Sequence, residues 1–423
     1  MKTTLSLIVL FVSLAQSGRA ASERPNVVFI LVDDLGWSDV SYNGSRVYET
    51  PHVDRLARQG MVLTDFYSAG PVCSPTRASI LTGKAPARLR LTTWLYTPEK
   101  DPPFVTHHLP LEEFTIAEAL SEAGYATGYF GKWHLGYKRE HWAARQGFAM
   151  AKGGIDSPTA WKLAWPDREP PLPEKHTRFF SPYHMTHLEN GPDGEYLTER
   201  LTDETIAFIE QHSASGSGKP KPFFAFLSFH TVHTPLQPKP EKIAKYKKKI
   251  VSLRLDSKQE VNRREKAFQN NAAYAGMVGH MDENVGRLLR RLDELNLSKN
   301  TIVVWTSDNG GKGSVTSNLP LRGMKHNLYE GGIRVPTIIR WPDRIAPGGR
   351  NSTPLISTDF YPSLLALTGS PARRNQHVDG ISFGDLLLGQ DGSVERDALY
   401  WHYPHNRHEA AVREGRYKLL HRF

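Results

Sequence analysis

The sequence predicts an α/β protein: a mostly parallel central sheet with helices on both faces, plus a small C-terminal antiparallel sheet subdomain. Two observations carry this. Short apolar runs rich in Val, Ile and Phe alternate with segments of helical periodicity, the pattern of strands buried on both faces beneath crossover helices. Past about Asp379 the helical pattern gives way to closely spaced strand-like pieces. The expected division is therefore a leader at 1–20, a main domain at 21–378 and a small subdomain at 379–423.

In chain order, Lys2 precedes an apolar run from Leu5 to Ala15, and Gly18-Arg19-Ala20 supplies a small-x-small cleavage pattern. This reads as a secretory signal peptide, with a secreted, periplasmic or lysosomal destination. The run is shorter than the roughly 20 apolar residues a membrane span requires, so no stable membrane insertion is expected. Strands are expected at Asn26 to Val32, Met61 to Tyr67, Ala126 to Phe130, Phe223 to Phe229, Thr301 to Ser307 and Val335 to Arg340. Thr50 before Pro51 marks a helix start, and Leu197 to His212 and Phe360 to Thr368 have helical patterns. The clearest helix is Asn271 to Leu295, where Tyr274, Met277, Val278, Met281, Val285, Leu288, Leu289 and Leu292 form one apolar stripe. Pro and Gly cluster in Trp165 to Pro192 and Gly216 to Pro222, which read as surface loops. Leu399 to His402, Ala410 to Arg413 and Arg416 to His421 read as the appended sheet. A chain ending on a strand at Phe423 carries the expectation that this subdomain is interrupted.

With 423 residues, 39% hydrophobic and 23% charged, the composition is that of a folded globular chain and excludes disordered, collagenous and polytopic membrane classes. A net charge of +9 favours polyanionic partners; nucleic acid is not expected among them. Cys73 is the one cysteine, so no intrachain disulfide can form despite the expected export.

Polar residues collect where apolar strands end. Asn26 to Val32 runs into Asp33-Asp34, Thr301 to Ser307 into Asp308-Asn309, Phe223 to Phe229 into His230 and His233, and Ala126 to Phe130 into Gly131-Lys132-Trp133-His134. The carboxyl ends of parallel strands form the ligand-binding edge of an open α/β sheet, so these groups could converge. Asp33, Asp34, Asp308 and Asn309 offer only oxygen donors, which suit Ca2+ first and Mg2+ second, and suit zinc or copper poorly. Taken singly, each pair reads first as a turn or a helix cap; two pairs at two strand ends shift that balance. In Cys73-Ser74-Pro75-Thr76-Arg77, Pro75 suits a first helical turn and places Cys73 at or near an N-cap that attracts anions, with Arg77 able to reach back to it. A lone cysteine is otherwise a small buried hydrophobe. Lys132, His134, His233 and Lys325 could surround an anionic ester and protonate a leaving oxygen, or be ordinary surface groups.

With these residues in view, the chain resembles the formylglycine-dependent (type I) sulfatases of the alkaline-phosphatase-like superfamily. The resemblance runs from about Pro25 onward and rests on PNVVFILVDDLGW, CSPTRASILTG, GKWHLG, HTVHTPL, TSDNGG and GMKHNLYEGGIRVPTIIRWP, in the family's order. It implies that Cys73 is converted before folding, by a formylglycine-generating maturation enzyme, to Cα-formylglycine, whose hydrate is the nucleophile. It implies that Asp33, Asp34, Asp308 and Asn309 join that residue around Ca2+. Arg77 and Lys132 would hold the hydrate, His134 would help expel sulfate, and His233 and Lys325 would bind the ester, with His233 as proton donor to the leaving alcohol. Loss of a proton from the second hydroxyl of the hydrate would then eject sulfate and restore the aldehyde. A further small polar contact that the family places after GKWHLG finds no secure match among Asp156, Ser157 and their neighbours.

The substrate so implied is a sulfated small molecule or polysaccharide, saccharides being favoured over steroids because no apolar membrane-embedding hairpin is visible. Specificity is expected from loops at Thr92 to His107 and Trp161 to Pro192. Two alternatives stand beside this: a phosphate or phosphonate ester hydrolase of the same superfamily, and a non-catalytic polyanion-binding protein using Lys242, Lys245, Lys247, Lys248, Lys249, Arg263, Arg264 and Lys266, a stretch that reads first as a solvated helix face or loop.

Overall fold

The computed structural model describes residues 24–95, 104–153, 179–183, 185, 187–213, 220–257, 259–262, 264–390, 392–405 and 407–423. The leader at 1–20, Asp156, Ser157 and Arg263 lie outside the described residues, as do 96–103, 161–178 and 216–219 of the expected loops.

Eight strands make the central sheet: β1 (Asn26–Val32), β2 (Met61–Leu63), β3 (Ala126–Gly131), β4 (Met150–Lys152), β5 (Phe223–Ser228), β6 (Thr301–Ser307), β7 (Ile338–Arg340) and β8 (Gly349–Asn351). Their spatial order is β8-β2-β7-β6-β1-β5-β3-β4. β6, β1, β5, β3 and β4 run parallel, β7 is antiparallel to both its neighbours, and β8 is parallel to β2. The four strands whose ends carry the polar residues are therefore consecutive in space, and those ends share one edge.

Every residue of β1, β5 and β6 is buried, as expected for strands covered on both faces. Alternate residues serve opposite layers because the strand period is two. Val27, Phe29 and Leu31 face one core, with side chains of α2 (Cys73–Thr82), α3 (Ile116–Glu122) and α7 (Phe360–Leu367); Val28, Ile30 and Val32 face the other, with α1 (Pro51–Gln59), α4 (Leu197–His212), α5 (Pro240–Ser252) and α6 (Ala272–Glu294). The predicted apolar stripe of α6 is buried along its length. Asn271 lies just before the helix as its N-cap, its Oδ1 accepting from the backbone N–H groups of Ala273 and Tyr274 at 3.1 and 3.2 Å.

Three expectations change in detail. The strand read as Met61 to Tyr67 breaks at Thr64-Asp65: Phe66–Tyr67 pairs instead with Leu355–Ile356 in a separate small sheet, and the Asp65 carboxylate takes Arg334 and Arg413. Val335 to Arg340 begins as a strand only at Ile338, because Pro336 offers no N–H to a ladder. The lysine-rich stretch is α5, a helix with Tyr246 and Ile250 inward. Lys242 pairs with Glu283, and Lys245 and Lys249 pair with Glu49, so much of its charge is already matched and a bare polyanion-binding face is not what it presents.

At the C-terminus, β9 (Leu399–Tyr403), β10 (Glu409–Glu414) and β11 (Tyr417–Arg422) form an antiparallel sheet. Leu399, Trp401, Tyr403 and Ala411 pack on Tyr67, Val72, Leu328 and Ile333. Trp401 Nε1 donates to Ser68 O at 2.9 Å, and buried Glu409 Oε2 accepts from Leu328 N at 2.9 Å. This sheet thereby buttresses Val72, the residue that opens α2.

Phe29 is fully buried, stacked on Phe226 at 4.6 Å and edge-on to Phe360 at 5.0 Å. Phe29→Ala is expected to lower unfolding free energy by about 3–5 kcal/mol through lost transfer energy and a residual cavity, read by denaturant titration against the parent.

Candidate active site

The Val32–Ser307 register of β1 and β6 sets Asp33-Asp34 beside Asp308-Asn309. In a continuing strand, neighbouring side chains would point to opposite faces. Asp34 instead takes a left-handed conformation, φ 62°, which breaks the alternation and lets two consecutive acids serve one site. Its backbone N–H donates to Asp308 Oδ1 at 3.1 Å, and Asn309 Nδ2 donates to Asp34 Oδ1 at 2.8 Å.

Cys73 is the first residue of α2, one position later than an N-cap; Val72 holds the cap without a side-chain bond. All ten residues of α2 are buried. The helix stops at Gly83, whose φ of 68° suits glycine and where a Cβ would stand 2.4 Å from His377 Cβ, which accounts for the LTG tail. The Cys73 thiol lies 3.5 Å from Asp33 Oδ1 and 3.5 Å from Lys325 Nζ. One ligand atom from each of Asp33, Asp34, Cys73 and His233 lies within 4.8 Å of the others.

The cations interleave with these acids. Lys132 Nζ is 2.6 Å from Asp33 Oδ2, and Lys325 Nζ is 2.5 Å from Asp34 Oδ1. Arg77 does not turn wholly toward the helix end: Nε and Nη2 donate to Asp308 Oδ2 at 2.9 and 2.7 Å, Nη1 donates to Lys132 O and Ser228 Oγ, and Nη2 remains 3.9 Å from Asp33 Oδ1. Ser228 also donates to Lys132 O at 2.7 Å, so it fixes both the guanidinium and the lysine loop. Sequence reasoning missed Ser228; its signal was a lone hydroxyl closing the apolar run FFAFLS.

His134 donates from Nε2 to Leu95 O at 2.7 Å, since a carbonyl can only accept, and its Nδ1 is buried without a partner. His233 donates from Nδ1 to Thr234 O at 2.6 Å, which leaves the Nε2 lone pair of the neutral ring facing Asp34 Oδ2 at 3.6 Å. That oxygen and Asn309 Oδ1 are buried with no hydrogen-bond partner. Facing lone pairs of this kind want a proton or a cation between them. His230, also at the end of β5, is buried with both ring nitrogens unpartnered.

Electrostatics fix the charge states. Burial alone would raise the Asp34 carboxyl, but Lys325, His233 and Lys132 hold it well below the usual carboxylate range. Burial opposes charge on Lys132 and Lys325 too, and Asp33 and Asp34 respectively more than offset it, so both lysines titrate above the usual range. Burial pushes the Cys73 thiol up to about 12 and, with the nearby lysine charges, takes His233 down to about 3 and His134 well below its ordinary value.

Because the folded-state value of Asp34 is depressed, its contribution to stability is present above the ordinary carboxylate range and is lost as pH falls. Lys325→Met leaves that carboxylate buried without its main partner and is expected to cost about 3–5 kcal/mol near neutrality. In chelator, denaturant titrations should show the gap to the parent narrowing as pH falls, first where the unpartnered Asp34 of the folded variant protonates and then through about pH 4, where Asp34 of the unfolded chain takes up a proton that the folded parent does not. A gap independent of pH would exclude the pairing as its source.

The profile of the family described as "Sulfatase" matches residues 25–370, and that described as "N-sulphoglucosamine sulphohydrolase, C-terminal" matches 324–423. A "Sulfatase" of Formosa agariphila is 30% identical over 92% of this chain and 77% of its own length. An N-acetylgalactosamine-6-sulfatase of Mus musculus is 31% identical over 93% of this chain and 72% of its own. Among solved structures, Ps i-CgsB superposes with a TM-score of 0.75 at 30% identity, covering 94% of this chain and 84% of that one. Together with the mainly parallel sheet and the acid-and-lysine cluster at its edge, these matches show that the chain belongs to the sulfatase family of sulfuric ester hydrolases.

Proposed function

We propose that this protein hydrolyses sulfate esters of saccharides, with Cys73 acting after conversion to Cα-formylglycine and with a divalent cation, Ca2+ before Mg2+, held by Asp33, Asp34, Asp308 and Asn309. The observation that carries the reading is the balance at the strand ends: three buried carboxylates face three buried cations, around the one thiol. Buried charge of both signs is costly to assemble and is kept where a charged substrate must be received.

The thiol itself argues for conversion. Pushed up to about 12 by burial, it stays protonated near neutrality and is a poor nucleophile. Its sulfur marks where the hydrate oxygen would stand, beside Lys325 Nζ and Asp33 Oδ1. At 2% exposure Cys73 is closed to a modifying enzyme in the folded chain, which supports conversion before folding, on an exported chain carrying the leader at 1–20. Among the described residues no helix is long and apolar enough to cross a membrane.

The donor set fits a hard cation: oxygens predominate, and the unpartnered Asp34 Oδ2 and Asn309 Oδ1 are buried lone pairs awaiting one. Such an ion, when bound, supplies positive charge toward the sulfate oxygens, and the hydrate supplies the attacking oxygen. This chain's own side chains do the rest. The Lys132 and Lys325 ammonium groups, fixed by their carboxylates, bind the anionic ester without reorganising. Arg77 holds Asp308 and the Lys132 carbonyl in register. His233 Nε2, oriented by the bond from Nδ1 to Thr234 O, is an unprotonated lone pair near neutrality; it would take the proton released by the attacking hydroxyl and pass it to the departing alkoxide. His134, with Nε2 fixed on Leu95 O, presents Nδ1 as the acceptor of a proton when sulfate leaves. The Mus musculus relative is named for a sulfated amino sugar, and i-CgsB is also solved with a neocarrahexaose, and both names support a saccharide substrate.

Cys73→Ala is expected to abolish release of sulfate while leaving the fold intact, and the peptide carrying residue 73 should show an aldehyde mass. Full turnover by a chain with an unmodified thiol would sink the conversion. Chelation should remove activity and Ca2+ restore it more fully than Mg2+. His233→Ala should lower kcat by roughly 10²–10⁴-fold on alkyl sulfates, with a smaller loss on aryl sulfates whose leaving groups need no proton; equal losses on both would exclude the acid role.

A further inference from the structure

Beyond the groups that handle the scissile sulfate, a second set of side chains borders the site. Trp94 is half-buried and meets the His326 ring edge-on, with centroids 5.0 Å apart. Its segment is pinned over the site from two sides: Leu95 N donates to Ser74 Oγ at 3.1 Å, next to Cys73, and Leu95 O accepts from His134 Nε2. His326 follows Lys325 directly, adopts φ 76° and donates its backbone N–H to Pro71 O at 3.0 Å, while its Nδ1 is buried with no partner. Lys312 completes the arc. The carbonyl before it, Gly311 O, accepts from Lys325 N at 3.0 Å, and Lys312 Nζ reaches Thr234 Oγ1, beside His233, at 3.4 Å. Among the described residues no carboxylate lies within 4 Å of Lys312 Nζ, whereas Lys132 and Lys325 are both paired.

We propose that Trp94, His326 and Lys312 form a saccharide subsite selective for a second anionic substituent, sulfate or carboxylate, on the sugar that carries the scissile ester or on its neighbour. The indole offers an apolar, flat surface to a pyranose ring, and His326 Nδ1, unpartnered in the fold, is the ring atom placed to share a hydrogen bond with a sugar hydroxyl. Lys312 supplies a charge that the catalytic cluster does not use and that only a weak contact to a neutral hydroxyl now satisfies. The proposal rests on the saccharide sulfatase reading, and it adds that singly charged esters are the poorer substrates.

The test uses the converted, Ca2+-loaded full chain with three matched disaccharides: one monosulfated and otherwise neutral, one disulfated, and one monosulfated carrying a uronate. The parent should show a lower KM for at least one doubly charged member than for the neutral one, and the arm that shows it identifies the second anion. Lys312→Met should raise KM for that substrate by about tenfold more than for the neutral ester, the loss of one charge-assisted hydrogen bond, and Lys312→Arg should restore most of it. The same ratio should appear in dissociation constants measured calorimetrically on Cys73→Ala, which binds without turnover. Trp94→Ala should raise KM for all three, with Trp94→Phe as the variant that keeps the packing. An active parent with no preference, or a Lys312→Met effect equal on all three esters, overturns the subsite alone. A folded Trp94→Ala protein with unchanged KM removes the indole platform. A parent that releases sulfate from none of them overturns the saccharide sulfatase reading, and the subsite falls with it.

Discussion

The structure depends on a one-to-one pairing of buried charge at the sheet edge: Asp33 with Lys132, Asp34 with Lys325, Asp308 with Arg77. Each ion left unpaired there would cost several kcal/mol, so the pairs are obligatory once the charges are buried. Each pair also joins different elements. Asp33 and Asp34 end β1, Asp308 ends β6, Lys132 follows β3, Arg77 lies one turn into α2, and Lys325 sits in the loop ahead of the last central strands. The cluster proposed to serve chemistry is therefore also a fastening between elements far apart in sequence, and the protein cannot relax one without disturbing the other.

That coupling explains the layers around the cluster. α2 has almost no amphipathic character, because all of its faces meet protein: Ala78, Ile80 and Leu81 enter the core shared with β1, while Arg77 crosses to Asp308 and Ser228. The C-terminal sheet packs on Val72 and Leu328, on either side of the segments that deliver Cys73 and Lys325. A preorganised, water-poor environment makes fixed charges act more strongly on an entering anion than they would in water, and it costs no rearrangement at the moment of reaction. Under the proposed mechanism, rigidity of the surroundings is thus a functional property.

Much of this was legible in the sequence, for identifiable reasons. β1 and β6 were readable end to end because a strand covered on both faces is a continuous apolar run with a sharp polar stop, and α4 and α6 because their apolar periodicity and flanking residues agree. That these residues gather at one edge was legible because the strand ends of a parallel sheet lie together, although nothing local to Asp33 or Asp308 says that β1 and β6 are neighbours. Other features depend on tertiary context. The break at Thr64-Asp65 follows from two arginines that arrive from residues 334 and 413. The partners of the α5 lysines were hidden, since Lys242, Lys245 and Lys249 find Glu283 and Glu49 only in the fold. The two-sided grip of Arg77 needs Ser228 and the Lys132 carbonyl, whose positions depend on how β3 and β5 pair.

Machinery and selectivity are also held by different means. The charged cluster sits on strand ends and a fully buried helix, where packing fixes each side chain and a change of one residue disturbs several elements. Trp94, His326 and Lys312 sit instead on loops that touch this frame at a few backbone hydrogen bonds: Leu95 to Ser74, His326 to Pro71, and Lys325 to Gly311. Loops anchored by a few hydrogen bonds can change sequence between those points without dismantling the sheet. A scaffold that splits its labour in this way can keep one reaction while the sugars it admits diverge, since a substitution at Lys312 alters what is bound beside the scissile ester and leaves the three charge pairs beneath it untouched.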